Sequence, residues 1–295
     1  MLSVVILFII LTGELDEQPV LMPVPEHDEA TEQLIGHRVV LSIDDGHRSV
    51  YEKVYPLLKK YNMTATLAII VNSLFNDNAG YLRRGRGYYI NYEEIKEMVD
   101  SCNVEIASHS LSHPWLTRLD SARLWQEVYR SRLILESLFG IPVLTFVYPY
   151  GAMDARVRRF VERAGYRLGR AVRPGAVNLW VDPYRLPVFE LRQGTGLEAV
   201  KNHIRNHKIS SILLHRVVEK PAVFTEWSVD DLAALLAWLD RCGLKTVTLS
   251  EIYYEWRQQV INRIILEWRD GRGVFSPESL LQDIHIDATR AFQPR

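Results

Sequence analysis

The sequence predicts an α/β protein in which about seven parallel β/α units close, or nearly close, into a barrel. Three observations predict it. Between Arg38 and Glu255, apolar runs of strand length alternate with helical patterns. About seven such units fall within ~220 residues, close to the usual ~250 of these barrels. After the first run the chain reads LSIDDGHRS, acids where an open doubly wound sheet would carry a glycine-rich nucleotide loop.

In order, RVVLSI (Arg38–Ile43) precedes a helix around Val50–Tyr61. TATLAIIV (Thr64–Val71) precedes a longer loop and a helix around Tyr92–Ser101. NVEIA (Asn103–Ala107) leads to a helix around Ser121–Phe139, and PVLTFV (Pro142–Val147) to one around Asp154–Ala164. YRLGRAV, a stretch containing Pro and Gly, and YRLPVFEL come before a helix around Gly196–His207. ISSILL (Ile209–Leu214) precedes a helix over Val229–Arg241, and KTVTL (Lys245–Leu249) precedes the last helical stretch.

Composition is that of an ordinary globular chain: 295 residues, 47% hydrophobic and 24% charged, which excludes a disordered or fibrous protein. Lys plus Arg is 35 against 36 acids, so nothing marks a nucleic-acid partner. Two cysteines, Cys102 and Cys242, exclude a disulfide framework and a cysteine-rich zinc site. Met1–Leu11 is apolar but shorter than the ~20 residues of a spanning helix. It reads as an atypical export signal or anchor, or else as a buried strand. Residues 1–36 are expected to be this segment plus an acidic, Pro-containing linker. Residues 37–257 then form the barrel domain. Residues 258–295 form a helical extension, and the stripe of Ile252, Trp256, Ile261, Ile264, Ile265 and Trp268 that runs into it is expected to pack on its own domain.

Chemistry in a β/α barrel collects at the C-terminal ends of the strands. There stand Asp44-Asp45-Gly46, His109-Ser-Leu-Ser-His113, Tyr148-Pro-Tyr150-Gly151 and His215. Two histidines at i and i+4 on one helical turn reach a single ion, and one carboxylate completes a set with open positions for water and substrate. Such an ion acidifies water and polarises a carbonyl. Neighbouring side chains on an extended segment point apart, so the two aspartates should take different roles, one holding metal and one accepting a proton. Gly46 lets the backbone turn sharply after the pair. His203 and His207 repeat the HxxxH spacing inside a polar helix and read as a solvated face. His27, His37, His47 and His285 have no partner that the sequence identifies.

The segments IDDG (Ile43–Gly46), SHSLSHP (Ser108–Pro114), FVYPYG (Phe146–Gly151) and LLH (Leu213–His215), in that order, resemble the polysaccharide deacetylases, also called carbohydrate esterase family 4 or the NodB-homology domain. SVYEKVYPLLKKYNMTATLAI, VEIASHS and RLPVF look most like the branch acting on poly-N-acetylglucosamine of biofilms, although the HxxxH spacing is one residue tighter than that branch often shows. The resemblance spans roughly Arg38 to Trp256. It implies a distorted (β/α)7 barrel and metal-dependent removal of acetyl groups from a β-linked N-acetylglucosamine polysaccharide. That glycan is a biofilm, peptidoglycan or chitin-like polymer outside the cytoplasm.

Carried over, Asp45, His109 and His113 would hold the metal: zinc first, with cobalt, nickel and iron as alternatives. Asp44 would be the general base and His215 the general acid. The Tyr150 N–H would serve the oxyanion and Leu213 the acetyl pocket. Tyr148, Trp180 and Arg185 are further candidates for substrate contact. Two departures stand out. Val147 replaces an arginine that pairs with the base in many members, leaving Arg170, Arg173 and Arg185 to take its place. The Asp-Trp motif before the last histidine is missing, with Asp182 or Trp180 as stand-ins. Loop Asn72–Tyr89, rich in Tyr and Arg, is expected to set substrate choice. An acetyl-xylan esterase, another amide hydrolase, and a non-catalytic glycan-binding module are the competing functions.

Overall fold

The computed structural model describes residues 34–75, 88–180 and 182–269. Their parallel strands run in the order β5-β4-β3-β2-β1-β7-β6, curled into a distorted (β/α)7 barrel. The strands are β1 (Arg38–Ile43), β2 (Thr66–Ile69), β3 (Glu105–Ser108), β4 (Thr145–Val147), β5 (Leu168–Arg170), β6 (Phe189–Glu190) and β7 (Ile209–Leu214). Strand β10 (Thr246–Val247) adds to the first half of β1, and β2 pairs with its second half. The seam between β5 and β6 is bridged by Leu186, whose N–H donates to Gly169 O at 2.8 Å and whose carbonyl accepts from Ala171 at 3.0 Å.

The helices are α1 (Tyr55–Tyr61, entered through a π turn over Val50–Val54), α2 (Tyr92–Cys102), α3 (Ser121–Trp125), α4 (Ser131–Phe139), α5 (Ala155–Arg163), α6 (Leu197–Asn206), α7 (Val229–Arg241) and α8 (Leu249–Arg269). Local chemistry sets their starts. Asn91 and Glu94 form a capping box at α2, Asp154 caps α5 and Ser228 caps α7. The helix expected over Ser121–Phe139 is interrupted by a π turn over Gln126–Arg130. YRLPVFEL yields only the short β6, because Pro187 has no N–H for a ladder. A small parallel pair, β8 (Arg216–Val218) and β9 (Glu226–Ser228), lies outside the main sheet and was not anticipated.

Strand alternation decides what fills the barrel. At one end, Thr66 and Thr145 donate hydroxyl hydrogen bonds to Glu105 at 2.7 and 2.6 Å, and the Ser250 N–H adds one at 3.1 Å. The first turn of α8 therefore seals that end, together with Val40, Leu168, Val177, Leu179, Leu186, Ile252 and Tyr253. Two residues further up, Ala68, Ala107 and Val147 pack together, and the small Ser42 and Ser211 of β1 and β7 are buried as well. Another two residues up, β1 and β3 end on Asp44 and His109. The opposite face of the strands carries the large core against the helices.

Leu34 is buried in that core, so the packed domain includes a residue assigned to the linker. Ile252 and Trp256 of the C-terminal stripe pack on the barrel as expected, whereas Ile265 is exposed. Met1–Leu11, most of the linker, residues 76–87 of the variable loop and the extension beyond residue 269 lie outside the described residues. Cys102 and Cys242 are not bridged to each other. Among the described residues, no helix is long and apolar enough to cross a membrane.

Candidate active site

Strand β1 delivers Asp44 into the mouth of the barrel, buried, with its N–H donating to Leu214 O at 2.9 Å. The chain then turns at once. Asp45 and Gly46 have φ of 71° and 72°, the left-handed region that Asp tolerates better than most residues and Gly freely. The extended geometry expected of the Asp pair is therefore absent, and the two carboxylates do not point apart. Asp45 Oδ1 lies 3.5 Å and Asp44 Oδ2 3.9 Å from His109 Nε2.

The two histidines are not on a helical turn either. His109 follows β3 directly, and the chain reaches His113 through a loop with left-handed Ser110 (φ 66°) and His113 (φ 60°). Ser110 Oγ accepts from the His113 N–H at 2.9 Å and braces that loop. His109 Nδ1 donates to Val147 O at 2.8 Å, since a carbonyl only accepts, which leaves Nε2 with a lone pair aimed inward. His113 Nε2 is 3.1 Å from His109 Nε2 and 3.6 Å from Asp45 Oδ1.

These ionisations suit a cation. Burial and neighbouring His109 push His113 down to about 4, against the pull of Asp45 and Asp44. Burial pushes the Asp45 carboxyl up, but the hydrogen bond from His47 and the charges of His109, His47 and His113 outweigh it and hold the group below the usual carboxylate range. Ligand bonds of about 2.0–2.2 Å at one ion require donor–donor edges of about 3.0–3.6 Å. The 3.1, 3.5 and 3.6 Å edges of this trio match. Among the described residues it is the one group of three or more such ligands gathered in this way.

Arg170 supplies the arginine that Val147 lacks. It is the register partner of Val147 on the adjacent strand, fully buried, and its Nη2 donates to Asp44 Oδ1. His215 follows β7 beside β1, and its Nδ1 is buried with no partner among the described residues. Tyr150 (φ 58°) and Gly151 (φ 66°) make a tight left-handed turn after β4. A Cβ on Gly151 would come within 2.7 Å of Val172 N, so only glycine fits. The half-exposed Tyr150 ring lies 4.5 Å from His113 and stacks on Trp115 at 4.5 Å and 6°.

Several candidates are not brought to this rim. Tyr148 is fully buried against Phe146, with its hydroxyl on Tyr184 O at 3.0 Å, so it is a core residue. Trp180 meets Trp256 of α8 edge-on at 5.7 Å, toward the sealed end of the barrel. Asp182 caps the Tyr184 N–H and pairs with Arg158. Arg185 is exposed beside the seam, and alternation with the inward Leu186 turns it outward. Leu213 is fully buried two residues below His215 on the same face of β7. Trp115 and His47 were not identified from sequence. The first had a signal, an aromatic two residues after His113; the second had none, because its partner Asp45 reaches it only through the left-handed turn.

A family model described as polysaccharide deacetylase matches residues 32–169. A putative polysaccharide deacetylase, YxkH, of Bacillus subtilis is 27% identical over 58% of this chain and 57% of its own length. A poly-beta-1,6-N-acetyl-D-glucosamine N-deacetylase of Staphylococcus aureus is 27% identical over 50% of this chain and 52% of its own. The chain thus spans about half the length of these curated relatives. Among solved structures, the peptidoglycan deacetylase PdaC from Bacillus subtilis superposes with a TM-score of 0.52 at 21% identity, covering 79% of this chain and 97% of that one. This last likeness concerns the fold.

Proposed function

We propose that this chain, which a polysaccharide deacetylase family model matches over residues 32–169, is a metal-dependent hydrolase of that family that removes N-acetyl groups from a β-linked N-acetylglucosamine polysaccharide outside the cytoplasm. The observation that carries the proposal is the single rim on which Asp45, His109 and His113 converge beside the buried Asp44–Arg170 pair and His215.

Asp45, His109 and His113 would hold a divalent ion, zinc first, with the half-buried and neutral His113 offering its lone pair. When bound, such an ion acidifies water and polarises the acetyl carbonyl. Arg170 engages Oδ1 of Asp44 and leaves Oδ2 on the side of His109, so Oδ2 is the atom that takes the proton of the attacking water. His215 returns a proton to the leaving amine nitrogen, without which the amide bond would not break. The turn at Tyr150 aims its N–H at the developing oxyanion. Trp115 and Tyr150 form an aromatic wall beside His113 for the apolar face of a sugar ring.

The test is acetate release from poly-β-1,6-N-acetylglucosamine oligomers, peptidoglycan fragments and acetylated xylan, using metal-stripped protein with and without added zinc. Release from a glucosamine polymer that needs zinc and is lost in Asp44→Asn is the expected result. Release from xylan alone would move the activity to an esterase. Binding of oligomers without turnover under any metal would replace the enzyme by a binding module.

A further inference from the structure

His47 has no assigned role, yet it is one of the most constrained side chains at the rim. It is 5% exposed. Its Nε2 lies 3.1 Å from Asp45 Oδ2, while its Nδ1 is buried with no partner among the described residues. The hydrogen bond to Asp45 is thus the ring's single polar contact there. The ring cannot easily swing away. It stacks on Tyr89 at 5.5 Å and 13° and meets Tyr88 edge-on at 5.0 Å. The backbone is stitched on both sides, Ile90 N–H to Gly46 O at 2.9 Å and Arg48 N–H to Tyr88 O at 2.8 Å.

We propose that His47 is the positioning residue of the metal site: by donating to Asp45 Oδ2 it turns Oδ1, the other oxygen, toward His109 and His113. The geometry is specific to one oxygen. Oδ1 is the atom 3.5 and 3.6 Å from the two ligand nitrogens, and Oδ2 is the atom that His47 holds. Without that donor the carboxylate gains rotational freedom about χ2, and the ion must order it on binding. Groups that orient a metal ligand in this way are commonly worth about 10–100-fold in affinity. The Tyr88–Tyr89 clamp continues outward to Arg216, whose guanidinium lies 5.7 Å over Tyr88 and which pairs with Glu226 at 2.8 Å.

The inference rests on the proposed metal site, and the experiment separates the two. Zinc dissociation constants are measured by competition with a chromophoric chelator for the wild type, Asp45→Ala, His47→Phe and His47→Gln, with thermal unfolding as a fold control. The phenylalanine keeps a ring between the tyrosines and removes the donor; the glutamine places an amide N–H near the Nε2 position. His47→Phe should bind zinc about 10–100-fold more weakly, with His47→Gln restoring most of the loss. Cobalt absorption spectra of the wild type and His47→Phe should keep one shape, because the ligands themselves are unchanged. Equal affinities in the wild type and His47→Phe would overturn the proposal, as would an equal loss in both His47 variants. A cobalt spectrum altered in His47→Phe would overturn it too, making His47 a ligand. Wild-type protein that binds no more zinc than Asp45→Ala would overturn the metal site itself.

Discussion

Two histidine pairs in this chain share one spacing, His109/His113 and His203/His207, and only the first is a metal-site candidate. Both pairs bring their rings together, with centroids 4.6 and 4.2 Å apart. Each has one ring pushed down to about 4, His113 by burial and His109, His203 by burial and His207. The helical pair is the one that does not form a site. At the C-terminal end of α6, His207 Nδ1 donates to the carbonyl of His203 at 2.7 Å and Phe189 packs 4.6 Å from His203; among the described residues no carboxylate completes a trio there. The loop pair has Asp45 at 3.5 and 3.6 Å and a carbonyl on the far nitrogen of His109. Spacing brings imidazoles together. A third donor, and a hydrogen bond that fixes which nitrogen carries the lone pair, make them ligands.

The sharpest way to break this contrast is to exchange the pairs' fates. Replacing His109 or His113 by Ala should abolish zinc retention in equilibrium dialysis and acetate release with it, while the double change His203→Ala, His207→Ala leaves both intact. Retention that survives loss of the loop pair, or fails with loss of the helical pair, would refute it. Next in size, Asp44→Asn should lower acetate release by about 10²–10⁴-fold with zinc still bound, the range of general acid–base help; loss of zinc in parallel would make Asp44 a ligand instead.

Arg170→Met should destabilise the fold by about 3–5 kcal/mol in urea unfolding, because it leaves a buried carboxylate without its counter-charge. Asp44→Asn in the same chain should recover part of that loss, and strictly additive effects would show that the pair does not interact. The smallest effect belongs to His203. Its folded value, about 4, lies below the ordinary 6.5, so between those two pH values the unfolded chain binds the extra proton. Stability therefore falls as pH drops from about 6.5 to about 4, and His203→Gln should flatten that decline in pH-dependent thermal unfolding. An unchanged slope would place the titration elsewhere.

Much of the site was legible because it sits in short contiguous strings. Asp44 and Asp45 are adjacent, His109 and His113 share a loop, and each string follows a strand whose apolar run is plain. The errors share a cause: sequence distance and local periodicity say nothing about which way a residue faces once strands curl. Tyr148 is a sequence candidate for substrate contact, yet it lies on the outer face of the sheet. Trp180 was a stand-in for a missing motif, yet it belongs to the sealed end. The i,i+4 argument assumed a helix where two left-handed residues make a loop.

By itself, the sequence determined the β/α alternation, because strand and helix periods are local properties of apolar spacing, and it determined the address of the chemistry at the strand ends. Only the tertiary structure decided which arginine faces Asp44. Arg170 and Val147 are 23 residues apart in sequence but register partners on adjacent strands, and a buried counter-charge is chosen by the inward face and free volume of the barrel. The same holds for His47, whose hold on Asp45 depends on a left-handed turn and on the two tyrosines that end the loop Asn72–Tyr89.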